Sequence, residues 1–209
     1  SYSSTYATHA NPRQGLRRFG PYDSGRFAKG SIQAGIVYPK NLESAKGVLV
    51  EQLTRTNYGF QRLFGIPLHF TEERPIEDGD KLSYVFQNML RHSLDMIFII
   101  VSKQDEEVYR KCKSILLGNG IPSQVILGDK LQDERQSRWV LENVALASYA
   151  KVGGTPWVVA NPAQKNQLVL GLSRVQDHNN RYLVGFVTLF TQDGDSTKIQ
   201  LFIHVCYPC

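Results

Sequence analysis

The 209-residue sequence has few cysteines and no long apolar run, and these two shortages exclude several classes of protein. Its three cysteines, Cys112, Cys206 and Cys209, are too few for a disulfide-stapled fold and favour a reducing compartment. Cys206 and Cys209 have no second pair with which to complete a zinc site. No stretch approaches the ~18 apolar residues of a membrane span, and no secretory segment opens the chain. We therefore expect a soluble, cytoplasmic protein without a membrane partner.

Histidine and glycine are missing from the places where two common kinds of site need them. None of the five histidines has a partner at ligand spacing, which argues against a histidine metal site. The first predicted strand ends at Tyr38-Pro-Lys-Asn-Leu-Glu43, without the glycine-rich turn of a dinucleotide-binding enzyme. A Rossmann-like enzyme that uses a nucleotide stays an alternative hypothesis, weakened by this absence.

Acidic residues are outnumbered, 19 against 24 basic ones, which gives a net charge of +5. This excess favours an anionic partner, with nucleic acid as the first candidate. It is strongest in residues 1–30, where Asp23 is the only acid. The basic residues of that segment are Arg13, Arg17, Arg18, Arg26 and Lys29. The segment has no sustained apolar period, so we predict irregular structure there, either solvated or lying as a basic arm along a polyanion.

Strand and helix patterns alternate from residue 31 to residue 154, which predicts an α/β fold with a parallel, Rossmann-like sheet. The apolar run Leu94–Val101 is typical of a strand buried on both faces. We predict strands at 32–38, 66–70, 94–101 and 123–127, and helices at 42–56, 81–91, 105–117 and 133–151. Such sheets bind ligands at the carboxyl ends of their strands, so we expect the site there.

After Thr155 the helical pattern stops and three strand-like segments follow. They are residues 167–175, 182–191 and 198–205, with a tight turn at Asp193-Gly194. The pattern predicts an antiparallel β-meander. Three strands without covering helices leave an apolar face open. Either the missing part is a separate chain, or the sequence is a shortened form of a longer protein, or the hairpin packs on the first sheet.

The residues best suited to hold a nucleotide lie on neighbouring predicted elements. Tyr109 and Lys113 are four apart on one helix and therefore share a face. The ring can stack on a terminal base and the ammonium can pair with its phosphate. Gln124 on the next strand can donate to the same phosphate, while Asn143 and Lys151 share a face of the last predicted helix. Each also has an ordinary explanation, such as a solvated face or a lysine that complements the helix dipole.

Two further observations refine this picture. The acids at positions 105–107 would repel an anion at the start of their helix, so we expect the phosphate a turn further in, beside Tyr109 and Lys113. Trp139 and Trp157 are expected in the core rather than stacked on bases.

Taken in order, these motifs resemble the MID domain of Argonaute proteins of the prokaryotic kind. The resemblance rests on Tyr109-x-x-x-Lys113, on Gly120-Ile-Pro-Ser-Gln124, and on Asn143 followed by Lys151-Val-Gly-Gly. The last motif is similar to the Lys-Leu-Gly-Gly junction that leads into the family's PIWI domain.

The flanking segments extend this resemblance. Gly15-Leu and Phe19-Gly-Pro-Tyr-Asp23 are similar to the segment that precedes MID in such proteins, and Trp157 with residues 168–172 fits the start of PIWI. The implied domains are a basic N-terminal segment (residues 1–30), a MID domain (31–154) and a partial, RNase H-like PIWI domain (155–209).

The resemblance also implies roles for single residues. Tyr109 stacks on the first base of a guide strand, whereas Lys113, Gln124 and Lys151 grip its 5′ phosphate. Asn143 supports the same pocket or the next phosphate.

Lys103 is either a contact to the first base or a solvated lysine. In many relatives a divalent cation also sits at the 5′ phosphate, held partly by the C-terminal carboxylate. This chain ends at Cys209, soon after the third predicted strand, so we expect that carboxylate to be missing or misplaced. We therefore assign no cofactor, and Mg²⁺ at the guide 5′ phosphate is the one open candidate.

The sequence Leu170-Gly171-Leu172-Ser173 puts a serine where the family's first PIWI strand carries a catalytic aspartate. Serine cannot supply the carboxylate that two-metal phosphodiester cleavage requires. The segments that would carry the other acids are absent, and Asp193 and Asp195 flank a predicted turn.

We therefore expect a catalytically inactive protein rather than an enzyme. Its expected partners are a guide RNA or DNA with a 5′ phosphate and a complementary target strand. The rest of PIWI or a separate effector protein is a further expected partner. An interaction subunit for such an effector is the remaining hypothesis.

Overall fold

The computed structural model describes residues 7–55, 59–77, 81–102, 106–158, 169–176, 182–190 and 201–203. The chain divides into two compact units, Ser1–Trp157 and Val158–Cys209. Within the described ranges, no helix combines the length and the apolar character that crossing a membrane requires.

The first unit is built on a parallel sheet, which confirms the predicted α/β fold. Its strands are β1 (Ile32–Pro39), β2 (Leu68–Ile76), β3 (Met96–Val101) and β4 (Ser123–Leu127), in the order β2-β1-β3-β4. Its helices are α1 (Pro12–Phe19), α2 (Glu43–Arg55), α3 (Phe60–Phe64), α4 (Leu82–Met89), α5 (Glu106–Gly118), α6 (Gly128–Gln132) and α7 (Glu134–Lys151).

Strand β3 runs through the middle of the core because all six of its side chains are buried. Successive side chains of a strand point to opposite faces, so its even and odd positions belong to different clusters. Met96, Phe98 and Ile100 pack in one cluster with residues of α2, α3 and α7. Ile97, Ile99 and Val101 pack in the other with residues of α4 and α5. Helices therefore cover both faces of the sheet.

The second unit contains three described strands, β5 (Val169–Gln176), β6 (Tyr182–Phe190) and β7 (Leu201–Ile203). They pair antiparallel in the order β5-β6-β7. Ser173 lies within β5 and is paired with Phe186 of β6. The predicted turn at Asp193-Gly194 lies outside the described residues.

The prediction of irregular structure throughout the N-terminal segment is wrong, because helix α1 lies within it. The side chain of Asn11 caps this helix by accepting hydrogen bonds from the amides of Arg13 (3.0 Å) and Gln14 (3.2 Å). Pro12 occupies its first turn, where proline is well tolerated. Leu16 is the one buried residue of α1, so the apolar period that normally reveals a helix is absent.

Candidate functional site

The side chains of Lys113 and Lys151 converge on the first residues of β4. The Lys113 ammonium donates to the carbonyl oxygen and the hydroxyl of Ser123, both at 2.9 Å. The Lys151 ammonium donates to the same carbonyl at 2.8 Å and to Oε1 of Gln124 at 2.7 Å. We call this group of four residues the dibasic pocket.

The dibasic pocket lies at the amino end of β4, so the expected position at the carboxyl ends of the strands is wrong. The reason is the path of the chain. Strands β3 and β4 are parallel, so α5 must return from the carboxyl end of β3 to the amino end of β4. Lys113 lies in the second half of α5, and Lys151 is the last residue of α7. Both lysines thereby reach the start of β4.

The dibasic pocket brings two positive charges close together. Burial lowers the pKa of Lys113. Burial, and then the positive charge of Lys113, lower the pKa of Lys151 to about 8. Within the described ranges neither ammonium is paired with a carboxylate. Each ammonium carries three N–H donors, and partners in the described part of the chain use two of them.

Tyr109 lies one turn before Lys113 on α5. Its side chain is among the exposed large hydrophobic ones, with 41% of the residue accessible. Residues four apart on a helix are neighbours on its surface, so Tyr109 and Lys113 share one face of α5. An aromatic face beside a cation suits a nucleobase joined to a phosphate.

Gln124 contributes its amide oxygen to Lys151. Its amide nitrogen donates to the carbonyl of Val125 at 3.0 Å. The predicted donation from Gln124 to a phosphate therefore requires this nitrogen to leave the backbone carbonyl.

Asn143 faces the N-terminal helix. Its amide oxygen accepts a hydrogen bond from the Arg13 guanidinium at 2.8 Å. The neighbouring Glu142, buried to 8% exposure, accepts from Arg13 at 3.1 Å and from Arg17 at 2.9 Å. These bonds join α7 to α1. The other predicted contact, Lys103, lies outside the described residues.

The expectation that both tryptophans are core residues is wrong. Trp139 is 65% exposed and Trp157 is 39% exposed. The Arg13 guanidinium lies 5.9 Å from the centroid of the Trp139 ring, within the range of a cation–π contact. Trp139 therefore belongs to the surface shared by α1 and α7.

The residues that hold the end of α7 were missed by sequence reasoning. Asp23 accepts hydrogen bonds from the Tyr149 hydroxyl and from the amide of Thr155, both at 2.7 Å. The Tyr149 ring is fully buried and stacks on Phe64 with the centroids 4.0 Å apart. The available signal was Asp23 itself, the single acid of a basic segment.

Two glycines let the chain turn sharply after α7. Gly153 has φ +99°, a left-handed conformation that side chains other than glycine rarely adopt. A Cβ on Gly154 would lie 2.4 Å from the Tyr149 ring, so only glycine fits there. The Gly-Gly of the predicted junction thus has a packing reason next to Lys151.

The described residues do not fit the divalent cation that the resemblance implied. Among them, no group of three or more His, Cys, Asp or Glu side chains could hold a metal ion. The oxygens of Ser123 and Gln124 in the dibasic pocket already accept from ammonium groups, and two ammonium groups repel a cation. No step of the proposed function therefore passes through a metal.

The first unit is thus a Rossmann-like fold with a parallel sheet, in which the partly exposed Lys113 and the exposed Lys151 meet without a carboxylate partner in the described ranges. The model of the Piwi domain matches residues 96–206, more than half of the chain and all of the dibasic pocket. The chain belongs to the Argonaute/Piwi family.

Relatives agree with this assignment. The chain is 26% identical over 212 residues to an argonaute protein of Cereibacter sphaeroides, covering 87% of the chain and 27% of the relative. It is 25% identical over 183 residues to a Piwi protein of Archaeoglobus fulgidus, covering 87% of the chain and 41% of the relative. The chain thus spans less than half the length of either curated relative.

The fold also resembles that of a solved relative. The crystal structure of Drosophila Piwi superposes with a TM-score of 0.65 at 16% sequence identity. The likeness covers 78% of this chain and 23% of that one. At this identity the comparison supports the fold alone.

Proposed function

We propose that this protein binds the 5′-phosphorylated end of a guide RNA or DNA strand. The main support for this proposal is that Lys113 and Lys151 both donate to the carbonyl oxygen of Ser123. Neither lysine has a carboxylate partner in the described part of the chain. The 5′ phosphate occupies the dibasic pocket, and Tyr109 stacks on the first base.

The charge of the ligand explains why a terminal phosphate is preferred over an internal one. A terminal phosphate monoester carries about −1.5 to −2 charges at pH 7 and three acceptor oxygens. It can therefore accept from the remaining donor of each lysine and offset the repulsion between the two ammonium groups. An internal phosphodiester has one charge and covalent links on both sides, so it satisfies this site less well.

In this proposal the bound guide strand pairs with a complementary target strand, so the protein takes part in nucleic-acid-guided target recognition. Two relatives carry the names argonaute and Piwi protein, and the net charge of +5 suits a polyanionic ligand. The rest of a PIWI domain or a separate effector protein is the partner proposed for the second unit.

We further propose that the chain does not cleave nucleic acid. Ser173 occupies the position on β5 at which the resemblance implies a catalytic aspartate. A serine hydroxyl does not bind the two metal ions of phosphodiester cleavage as a carboxylate does.

The binding proposal is tested with short strands that differ only in a 5′ phosphate or a 5′ hydroxyl, labelled at the 3′ end and followed by fluorescence polarisation. Lys113→Ala and Lys151→Ala should each weaken binding of the phosphorylated strand by about 1.5–3 kcal/mol, roughly 10- to 150-fold. Exposed Lys130 provides the matched control, and Lys130→Ala should change little. Equal affinity of the parent for both strands would defeat the proposal.

The cleavage proposal needs a separate assay. The protein is loaded with a phosphorylated guide and incubated with a labelled complementary target in Mg²⁺ or Mn²⁺. We expect the target to stay intact on a denaturing gel. Guide-dependent cutting that Ser173→Ala leaves unchanged would show that another group supplies the chemistry.

A further inference from the structure

The carboxylate of Asp23 joins two segments that are far away in the sequence. Asp23 is 8% exposed, and its two oxygens accept from different donors, the Tyr149 hydroxyl and the Thr155 amide. The backbone reinforces this link, because the amide of Tyr22 donates to the carbonyl of Pro156 at 3.0 Å. The N-terminal segment thus holds the chain just after α7.

These two donors lie on either side of Lys151. Tyr149 precedes Lys151 by two residues, and Thr155 follows it by four. The amide of Gly154 also donates to the carbonyl of Tyr149 at 2.9 Å, which closes the turn between the donors. One buried carboxylate therefore binds both the last turn of α7, at Tyr149, and the chain that follows the helix, at Thr155.

The Tyr149 ring makes this attachment rigid. It stacks on Phe64 with an interplanar angle of 2° and contacts Phe27 at a centroid distance of 5.2 Å. Burial and the hydrogen bond to Asp23 raise the pKa of the Tyr149 phenol, so the hydroxyl stays a donor at neutral pH. A donor on a fixed ring sets where the Asp23 carboxylate lies.

We infer that Asp23 is a positioning residue for Lys151 and thereby for recognition of the 5′ phosphate, although it lies outside the dibasic pocket. This inference rests on the proposed function. The Lys151 ammonium reaches two oxygens at 2.7–2.8 Å, and small displacements of the helix end would lengthen both bonds and move the donor that meets the phosphate.

The test compares variants of the full chain, with affinities measured for the 5′-phosphorylated and the 5′-hydroxyl strand. Asp23→Ala removes both acceptors and should lower affinity for the phosphorylated strand on the order of tenfold. Affinity for the hydroxyl strand should not change. Asp23→Asn should restore most of the loss, because its oxygen can keep the Thr155 amide while its nitrogen donates to the Tyr149 hydroxyl.

Two further variants separate positioning from folding. Tyr149→Phe keeps the buried ring and removes only the hydroxyl, so it should reproduce part of the loss even if Asp23→Ala fails to fold. The exposed Asp129 of α6 provides the matched control, since Asp129→Ala removes a carboxylate of the same size that takes no part in this attachment.

The decisive comparison is made in a Lys151→Ala background. If Asp23 acts through Lys151, adding Asp23→Ala there should cause no further loss of affinity for the phosphorylated strand. A further loss, an equal loss for both strands, or no loss from Asp23→Ala and Tyr149→Phe would each overturn the inference. A parent protein with no preference for the 5′ phosphate would instead defeat the proposed function, so the two failures are distinguishable.

Discussion

The positive charge of the dibasic pocket comes from Lys113 and Lys151, which both donate to the carbonyl oxygen of Ser123. Desolvation, and then the neighbouring Lys113 ammonium, disfavour the charged form of Lys151, and both lower its pKa. A bound phosphate would raise the pKa of both lysines, because its negative charge favours their protonated form. Ligand binding and proton binding are therefore coupled at Lys151.

This coupling predicts how affinity depends on pH. Since the pKa of Lys151 in the free protein is about 8, the ammonium loses its proton as the pH rises through that value. We expect affinity for a 5′-phosphorylated strand to fall between pH 7.5 and pH 9.5, a range that lies above the second pKa of the phosphate, about 6. Fluorescence polarisation across this range, with the 5′-hydroxyl strand as reference, measures the effect.

The control for this pH effect is Lys151→Arg. A guanidinium keeps its charge throughout the range, so its profile should be flatter than that of the parent. A parent profile that is already flat would mean that Lys151 does not titrate near pH 8.

Gly154 predicts a packing effect at the same helix end. In Gly154→Ala the new Cβ would lie 2.4 Å from a Tyr149 ring that Phe64 holds in place, so we expect a loss of about 1–3 kcal/mol in the free energy of unfolding. Gly47 in α2 is the matched control, because a Cβ there meets nothing within 4 Å. Gly47→Ala should stabilise the protein by roughly 0.5–1 kcal/mol. Urea denaturation measures both, and equal effects would contradict this account.

At the scale of elements, α1 and α7 show how the N-terminal segment joins the fold. Arg13 and Arg17 of α1 both pair with the buried Glu142 of α7. Because Glu142 is largely withdrawn from water, it requires such partners. The basic segment is therefore held by an acid of the α/β unit, in addition to its excess of positive charge.

Helix α1 should therefore contribute to the cooperative unfolding of the first unit. Asn11→Ala removes the cap of this helix and should cost about 1 kcal/mol in the free energy of unfolding, as followed in urea. Asn11→Asp keeps an oxygen acceptor at the same place and should preserve stability. An unchanged unfolding midpoint in Asn11→Ala would indicate that α1 frays before the rest unfolds.

The strands and helices of the α/β unit were largely predictable because the periodicity of apolar residues indicates which side chains are buried. Strand β4 was predicted at its observed bounds, and the apolar run that became β3 was placed two residues early, at Leu94. Strand β2 begins two residues later and extends six residues further than predicted, because its exposed, charged half carries no apolar alternation. The short helices α3 and α6 were missed, since five residues cannot display a helical period.

At the scale of the molecule, the two hydrophobic clusters that the described residues form lie within the first unit. We predict that residues 1–157, produced alone, fold and unfold in a single cooperative transition in urea. The same fragment should keep its preference for a 5′-phosphorylated strand, because the dibasic pocket and the Asp23 attachment lie within it. Circular dichroism and fluorescence polarisation check the two parts, and non-cooperative melting would show that the second unit is needed for folding.

The amino-acid sequence by itself determined the α/β class, the buried central strand and the candidates Tyr109, Lys113, Gln124 and Lys151. These follow from local periodicity and from the chemistry of residue types, which are properties of neighbouring positions. The roles assigned to those residues remain predictions.

Only the tertiary structure decided that Lys113 and Lys151 meet at Ser123, that Asn143 faces Arg13, and that Asp23 holds the end of α7. Such contacts join residues up to 132 positions apart. Their geometry depends on how helices return across the sheet, and no local pattern in the chain encodes that path.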